Sequence, residues 1–208
     1  MISKWLKKLF AWRLSGARRE KFEIKVRPFK EKIFRDLLGK EILELGAGAG
    51  VNVRYYTGAK FVYLVEPNLE MRSYLEKRCQ AEKLPSKILT DQAESLSLPD
   101  QSVEVVISSF VLCSVKNVPK VLTEIARVLK PGGKFIFVEH VGAKTGIRAT
   151  MQRARRPLWR FWSDGCDCCR NTEILIRQAN LFSKIELQEY HQVPSFIARP
   201  WILGTVFR

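Results

Sequence analysis

Three glycines and one acid mark a place where this chain could hold a nucleotide-like ligand. Gly46, Gly48 and Gly50 recur at every second position after the apolar run Ile42, Leu43, Leu45. Without a Cβ, each lets the backbone turn sharply and approach a ligand closely. Glu66 ends a second apolar run, Phe61–Val65, and lies 20 positions after Gly46. In a doubly wound sheet, an acid at that point accepts hydrogen bonds from ribose hydroxyls. The bland alternative for the glycines is a tight strand-to-helix turn.

The third glycine is Gly50, and Val51 stands where a dinucleotide loop of the form Gly-x-Gly-x-x-Gly would place it. That departure counts against a nicotinamide cofactor. It fits S-adenosylmethionine (SAM), which has no pyrophosphate to cradle. The predicted cofactor contacts on this side are Glu44, Gly46, Ala47, Gly48, Gly50, Glu66 and Pro67. Asp91, Gln92 and Ala93 follow the third strand, where doubly wound domains read the adenine edge. Ser108, Ser109 and Phe110 follow the fourth strand and face the reactive end of the cofactor, because ligands bind beyond the carboxyl ends of strands.

His140 ends the fifth strand next to Glu139. A histidine there can take a proton near neutral pH, so it is the candidate catalytic residue. The alternative is a histidine satisfied by loop backbone. His191 reads as a loop residue. Cys113 reads as a buried small hydrophobe rather than a pocket thiol. Cys166-Asp-Cys-Cys169 lacks a second ligand pair, so no metal site is expected.

These residues need an alternating strand and helix frame. A helix is predicted to start after Gly50 and another at Pro67-Asn68, burying Leu69, Met71 and Leu75 and ending near Cys79. Strands are predicted at Ser86–Thr90, Val103–Ser108, Lys134–His140, Lys184–Glu189 and Pro200–Phe207. Helices are predicted over Val118–Leu129 and Asn171–Leu181. Lys130-Pro-Gly-Gly133 stops the first of these. The result is an α/β, Rossmann-like sheet of seven strands whose last strand runs antiparallel. With 208 residues and 46 % hydrophobic content, the chain can form one full core. Residues 39–208 form that domain, with an insertion at 144–170.

The net charge of +15 is unevenly placed. Residues 1–40 hold 13 Lys/Arg against 4 Asp/Glu, and residues 144–170 hold 7 against 2. The rest is near neutral. Both basic segments could meet an anionic surface. Met1–Leu14 reads as an amphipathic helix with Ile2, Trp5, Leu6, Leu9, Phe10 and Trp12 on one side. Lys4, Lys7 and Lys8 fall on the other. That is the pattern of a helix lying in a membrane interface; the alternative is a helix packed on the domain. Residues 18–38 continue as a basic helical region interrupted at Pro28, in the position of a lid. The insertion interleaves Arg153, Arg155, Arg156 and Arg160 with Trp159, Phe161 and Trp162, which suits a membrane interface or nucleic acid. No run is apolar enough to span a bilayer and no signal peptide is evident. Five cysteines without a framework favour a reducing compartment.

The segments Leu43-Glu-Leu-Gly-Ala-Gly-Ala-Gly50, Glu66-Pro-Asn68 and Val128-Leu-Lys-Pro-Gly-Gly133 resemble class I SAM-dependent methyltransferases. Val111-Leu-Cys-Ser-Val115, Val138-Glu-His-Val141, Asp164-Gly-Cys166 and Gly204-Thr-Val206 are similar to the methyltransferase-like thiol S-methyltransferases of the endoplasmic reticulum and lipid droplets. The resemblance runs from Glu41 to the C-terminus. It implies a membrane-associated enzyme that methylates a small lipophilic thiol. It also implies an intracellular, peripheral location on the cytoplasmic face. Ala47 and Ala49 replace the family's usual Cys and Thr, and Glu66 replaces its usual Asp. The short basic Met1–Leu14 helix stands where the family has a long apolar anchor. A phosphatidylethanolamine-type N-methyltransferase is the alternative, and an RNA-binding or RNA-modifying protein a third reading. Ser108–Val111 lacks an amino-methylation motif, so nucleic acid is not the expected partner. A monomer is expected.

Overall fold

A computed structural model describes residues 4–15, 17–190 and 200–208, without the side chains of Lys4, Leu6, Ala17, Arg18 and Arg19. Ile2 and His191 fall outside that description.

Seven strands form one sheet: β1 (Glu41–Leu45), β2 (Phe61–Val65), β3 (Ser86–Leu89), β4 (Val103–Ser109), β5 (Leu129–His140), β6 (Lys184–Tyr190) and β7 (Trp201–Phe207). Their order is β3-β2-β1-β4-β5-β7-β6. β7 is antiparallel to both of its neighbours, as the sequence predicts. The chain reverses its direction of winding between β1 and β4. Open α/β sheets bind ligands at that kind of switch point.

Alternation along β1 explains its burial on both faces. Leu43 and Leu45 enter the core under α4 (Val118–Val128), while Ile42 enters the opposite core. Glu44 shares the face of Ile42 and is 1 % exposed. A carboxyl group on an apolar face must find donors. α4 buries Val118, Val121, Leu122, Ile125 and Val128, the spacing of a one-sided helix. Asn117 caps it by accepting the Lys120 N–H at 3.0 Å.

Several boundaries differ from expectation. No α-helix starts after Gly50: the chain turns and makes only a 3-10 turn at Val53–Tyr55. Asn52, 2 % exposed, points inward there, where it donates to Glu44 and accepts from Lys30. Helix α3 (Arg72–Ala81) begins later than Pro67, after a short turn that Asn68 caps through the Glu70 N–H. Lys130–Gly133 stays within β5 as a bulge, because the register jumps between Val103↔Leu129 and Val105↔Lys134. Helix α2 (Ala17–Ile33) continues through Pro28. Pro28 and Ile24 are both exposed, so the Ile24 carbonyl that loses its partner faces water. The insertion contains one long helix, α5 (Gly146–Trp162), followed by α6 (Thr172–Gln178).

The N-terminal helix, α1 (Lys4–Ser15), has no single apolar side. Ala11, with Phe10 and Leu14, packs on Ala49 and Met71. Trp5 and Trp12 are 64 % and 67 % exposed. The packed-helix reading therefore describes one side of α1, and an outward Trp pair describes another. No described helix is long and apolar enough to cross a membrane.

Candidate active site

The glycine loop has little steric freedom. Gly46 has φ +60°, and a Cβ there would meet Val111 Cγ2 at 2.5 Å. Gly50 has φ +79° and would strike Leu75 Cδ1 at 2.9 Å. Gly48, at φ +57°, has only the Gly46 carbonyl within reach, at 3.9 Å, so open space lies in front of it. The loop is thus packed on two sides and open on the third.

Glu66 borders that opening. Its Oε2 accepts the Gly48 N–H at 2.8 Å and its Oε1 accepts the Asn68 N–H at 2.7 Å. Burial pushes its carboxyl above the usual range, while the two N–H groups favour the anion. Asp164 raises it further and Lys7 lowers it, so both residues stand near the crevice. The sequence reading put Lys7 on the solvent side of α1. Its side chain is half-buried instead, and its carbonyl accepts the Asn68 side-chain N–H at 3.4 Å. Pro67 is exposed beside Glu66.

Behind the loop lies a buried polar chain that joins α2 to β1. Lys30 Nζ donates to Glu23 Oε2 at 2.6 Å and to Asn52 Oδ1 at 2.7 Å. Asn52 Nδ2 donates to Glu44 Oε1 at 2.6 Å. Glu44 Oε2 is buried without a partner of ordinary geometry. Burial pushes the Glu44 carboxyl up to about 7, against the pull of Asn52, Tyr56 and Lys30. Glu44 thus lies beneath the loop. Ala47 and Ala49 are also buried, so their small side chains fill space in the two cores.

The loop after β4 is organised by Glu139, which is wholly buried. It accepts the Ser108 hydroxyl at 2.6 Å, the Val111 and Leu112 N–H groups at 3.0 Å, and the Cys113 N–H at 3.1 Å. Burial raises its carboxyl and these donors oppose the rise. Ser108 therefore faces β5. Ser109 Oγ is buried without a protein partner. Phe110 has φ +62°, unusual for a bulky residue, and its ring stacks on His140 at 4.4 Å. Trp201 meets Phe110 at 4.8 Å, and Phe22 from α2 meets Trp201 at 5.6 Å. An aromatic wall thus stands at the ends of β5 and β7.

His140 Nδ1 lies 3.6 Å from Cys113 Sγ and 3.5 Å from Cys166 Sγ. The two sulfurs are 3.4 Å apart. The Cys113 contact and His140 draw the Cys166 thiol well down against burial, and the fully buried Cys113 is pushed up beside it. One proton is thus held on Cys113 more firmly than on Cys166.

Asp91 accepts both the Ser97 N–H and its hydroxyl at 2.7 Å, which shapes the loop after β3. Gln92 bridges Ser95, and Ala93 joins the core. Sequence reasoning missed Asn52, Lys30, Glu23 and the role of Glu139. Only Glu44 signalled any of them, as an acid inside an apolar strand that demands donors.

SAM fits these residues: an open approach to Gly48, an oriented carboxylate at Glu66 and an orphaned hydroxyl at Ser109. Residues 43–137 match the methyltransferase domain family. Rat thiol S-methyltransferase TMT1B is 36 % identical over 177 residues, covering 81 % of this chain and 72 % of its own length. Human thiol S-methyltransferase TMT1A is 34 % identical over 168 residues, covering 78 % and 68 %. The structure of Haemonchus contortus phosphoethanolamine N-methyltransferase 2 in complex with SAM superposes with a TM-score of 0.69 at 16 % identity. It covers 96 % of this chain and 60 % of that one, a likeness of fold. Fold, crevice and relatives define a class I SAM-dependent methyltransferase, and SAM is its cofactor. Within that class, the chain belongs to the thiol S-methyltransferase family that includes TMT1A and TMT1B.

Two substitutions test this account. Glu66→Gln removes the charge that strengthens hydrogen bonds from ribose. It is expected to weaken S-adenosylhomocysteine binding by about 10- to 100-fold in calorimetry; an unchanged affinity would remove Glu66 from the site. Glu44 has a folded pKa raised to about 7 from 4.5, so the native state binds the extra proton. Its contribution is present at low pH and is lost as pH rises between 4.5 and about 7. That loss amounts to up to about 3 kcal/mol. Urea unfolding of Glu44→Gln should show a shallower decline across this window than the native protein.

Proposed function

We propose that the enzyme transfers the SAM methyl group to the sulfur of a small lipophilic thiol at a membrane surface. The observation that carries this is the aromatic wall at His140, where half-buried Phe110 stacks on the imidazole, Phe22 lies beside it and Trp201 is buried behind. A neutral, apolar acceptor suits such a wall, and the family's relatives are thiol S-methyltransferases.

Bound in the crevice, SAM supplies a methyl group whose bond to the sulfonium breaks as the bond to the acceptor sulfur forms. The chain's own groups align and desolvate the reactants. Gly46, Ala47, Gly48 and Gly50 shape the approach. Glu66 orients the ribose with Pro67 beside it, and Asp91, Gln92 and Ala93 frame the adenine. Ser109 and Phe110 border the reactive end. Ser108 and Glu44 hold those elements from behind. A thiol reacts as its thiolate. His140, with Nδ1 turned to the two cysteines, has Nε2 to take the acceptor proton.

Membrane attachment draws support from exposed aromatic and apolar groups on two helices. α1 exposes Trp5 and Trp12, and α5 exposes Leu158, Phe161 and Trp162. The helices meet where Arg13 Nη1 donates to the Trp162 carbonyl at 3.3 Å. Large amphipathic rings beside cationic side chains suit a headgroup interface.

Product mass spectrometry after incubation with SAM and a panel of alkyl thiols, phosphatidylethanolamine liposomes and RNA tests the acceptor. Thioethers from the thiols alone are expected. Methylated amine lipid with inert thiols would overturn the reading. Turnover of His140→Asn should fall by about 100-fold near neutral pH, with the deficit shrinking as pH approaches the acceptor's own pKa. The same liposomes should sediment the protein, and Trp5→Ser with Trp12→Ser should reduce that binding.

A further inference from the structure

Cys113, His140 and Cys166 come from three separate places: the loop after β4, the end of β5 and the loop after α5. Their ligand atoms form a small triangle with sides of 3.4, 3.5 and 3.6 Å. A tetrahedral zinc ion with bonds of about 2.3 Å to sulfur and about 2.0 Å to nitrogen requires S···N edges near ~3.5 Å and an S···S edge near ~3.8 Å. Both S···N edges already match. The S···S edge needs to open by roughly 0.4 Å, a small rotation of one thiol.

The triangle is positioned by contacts that do not involve the sulfurs. The Asp167 N–H donates to the Cys113 carbonyl at 2.8 Å. Arg156 grips both oxygens of Asp167. Arg170 donates to the carbonyls of Leu112 and Val115. Cys113 and Cys166 are 0 % and 5 % exposed. Thiols are weak hydrogen-bond donors and acceptors, so this buried polar triangle gains little from its internal contacts. A dication with two thiolates and one neutral imidazole gives a charge-balanced buried site. Two sulfurs and one imidazole suit zinc.

We propose that Cys113, His140 and Cys166 bind one zinc ion and leave its fourth position for the sulfur of the acceptor. The first half stands on the geometry alone; the second rests on the thiol reading above. Binding releases the protons of both cysteines to solvent, while His140 coordinates through Nδ1. An acceptor thiol that reaches the open position loses its proton in the same way. Its sulfur keeps the electron pair that forms the new S–CH3 bond, and the sulfonium takes the pair from the bond that breaks. The thioether then leaves, being a poorer ligand than a thiolate. In this state the metal takes over the task of activating the thiol, and His140 serves as a ligand.

The unmodified protein, purified under reducing conditions, is dialysed against chelator and titrated with Zn2+ or Co2+. One ion per chain is expected. The Co2+ form should show tetrahedral d–d bands with a sulfur-to-metal charge-transfer band, and the ion should raise the melting temperature. Cys113→Ser and Cys166→Ser should each weaken binding by more than about 100-fold, while Cys169→Ser should not. Absence of stoichiometric binding, a Cys113–Cys166 disulfide in the reduced and metal-treated protein, or equal loss in Cys169→Ser would overturn the site. Adding an alkyl thiol that the enzyme methylates should shift the Co2+ spectrum. A methylated thiol that leaves the spectrum unchanged overturns the fourth-position claim. Metal bound with no thiol methylated supports the site and sinks the thiol reading instead.

Discussion

A carboxylate stripped of water holds the reactive edge of this sheet in shape. Glu139 sits at the end of β5 with no exposure, and four donors from the segment Ser108–Cys113 converge on it. Leaving such a group unpaired in an apolar interior would cost several kcal/mol, on the order of ~3–5. The loop after β4 therefore has little choice of path. Its forced turn puts Phe110 at positive φ and stacks its ring on His140. It also brings Cys113 to Cys166. Aromatic wall, histidine and sulfur pair all follow from where Glu139 is satisfied.

The same constraint recurs twice along the strand ends, with different solutions. Glu66 meets two backbone N–H groups and stays partly open to the crevice, so its oxygens retain lone pairs for a ligand. Glu44 is sealed in and depends on Asn52, which in turn depends on Lys30 and Glu23. Three acids thus sit beside the switch point of the sheet. One borders the crevice, one braces the glycine loop from below and one shapes the loop after β4. Their degree of burial separates these roles better than their position along the strands does.

Local patterns made the sheet legible. The glycines, Glu66 and the strand periods each depend on near neighbours, and β7 was readable from its own apolar run. The features that escaped depend on distant partners. Nothing in Arg18–Leu38 announced that Lys30 is 1 % exposed, because its partners Glu23 and Asn52 are named only by the fold. Where a helix was expected after Gly50, Asn52 turns inward to Glu44 and Lys30 and only a 3-10 turn follows. The cysteine spacing at 166–169 pointed to no metal. The triangle with Cys113 and His140 uses residues 53 and 26 positions away from Cys166. No spacing rule spans such gaps without a sheet to close them.

Not all of the basic excess of this chain lies free at its surface. The basic segment 1–40 includes Lys30, which is committed to the buried network, and Lys7, whose charge is felt at Glu66. In the second basic segment, Arg156 is tied to Asp167 and Arg170 to loop carbonyls. Part of the excess therefore holds the two flanks against the neutral domain, through Lys30 to Asn52 and Arg170 to the Leu112 and Val115 carbonyls. What the flanks turn outward is mixed: Trp5 and Trp12 with Lys8 and Arg13 on α1, and Ile147, Leu158 and Phe161 with Arg153, Arg155 and Arg160 on α5. Exposed cations and large exposed apolar groups therefore share the same two helices, the composition that the proposed headgroup contact requires.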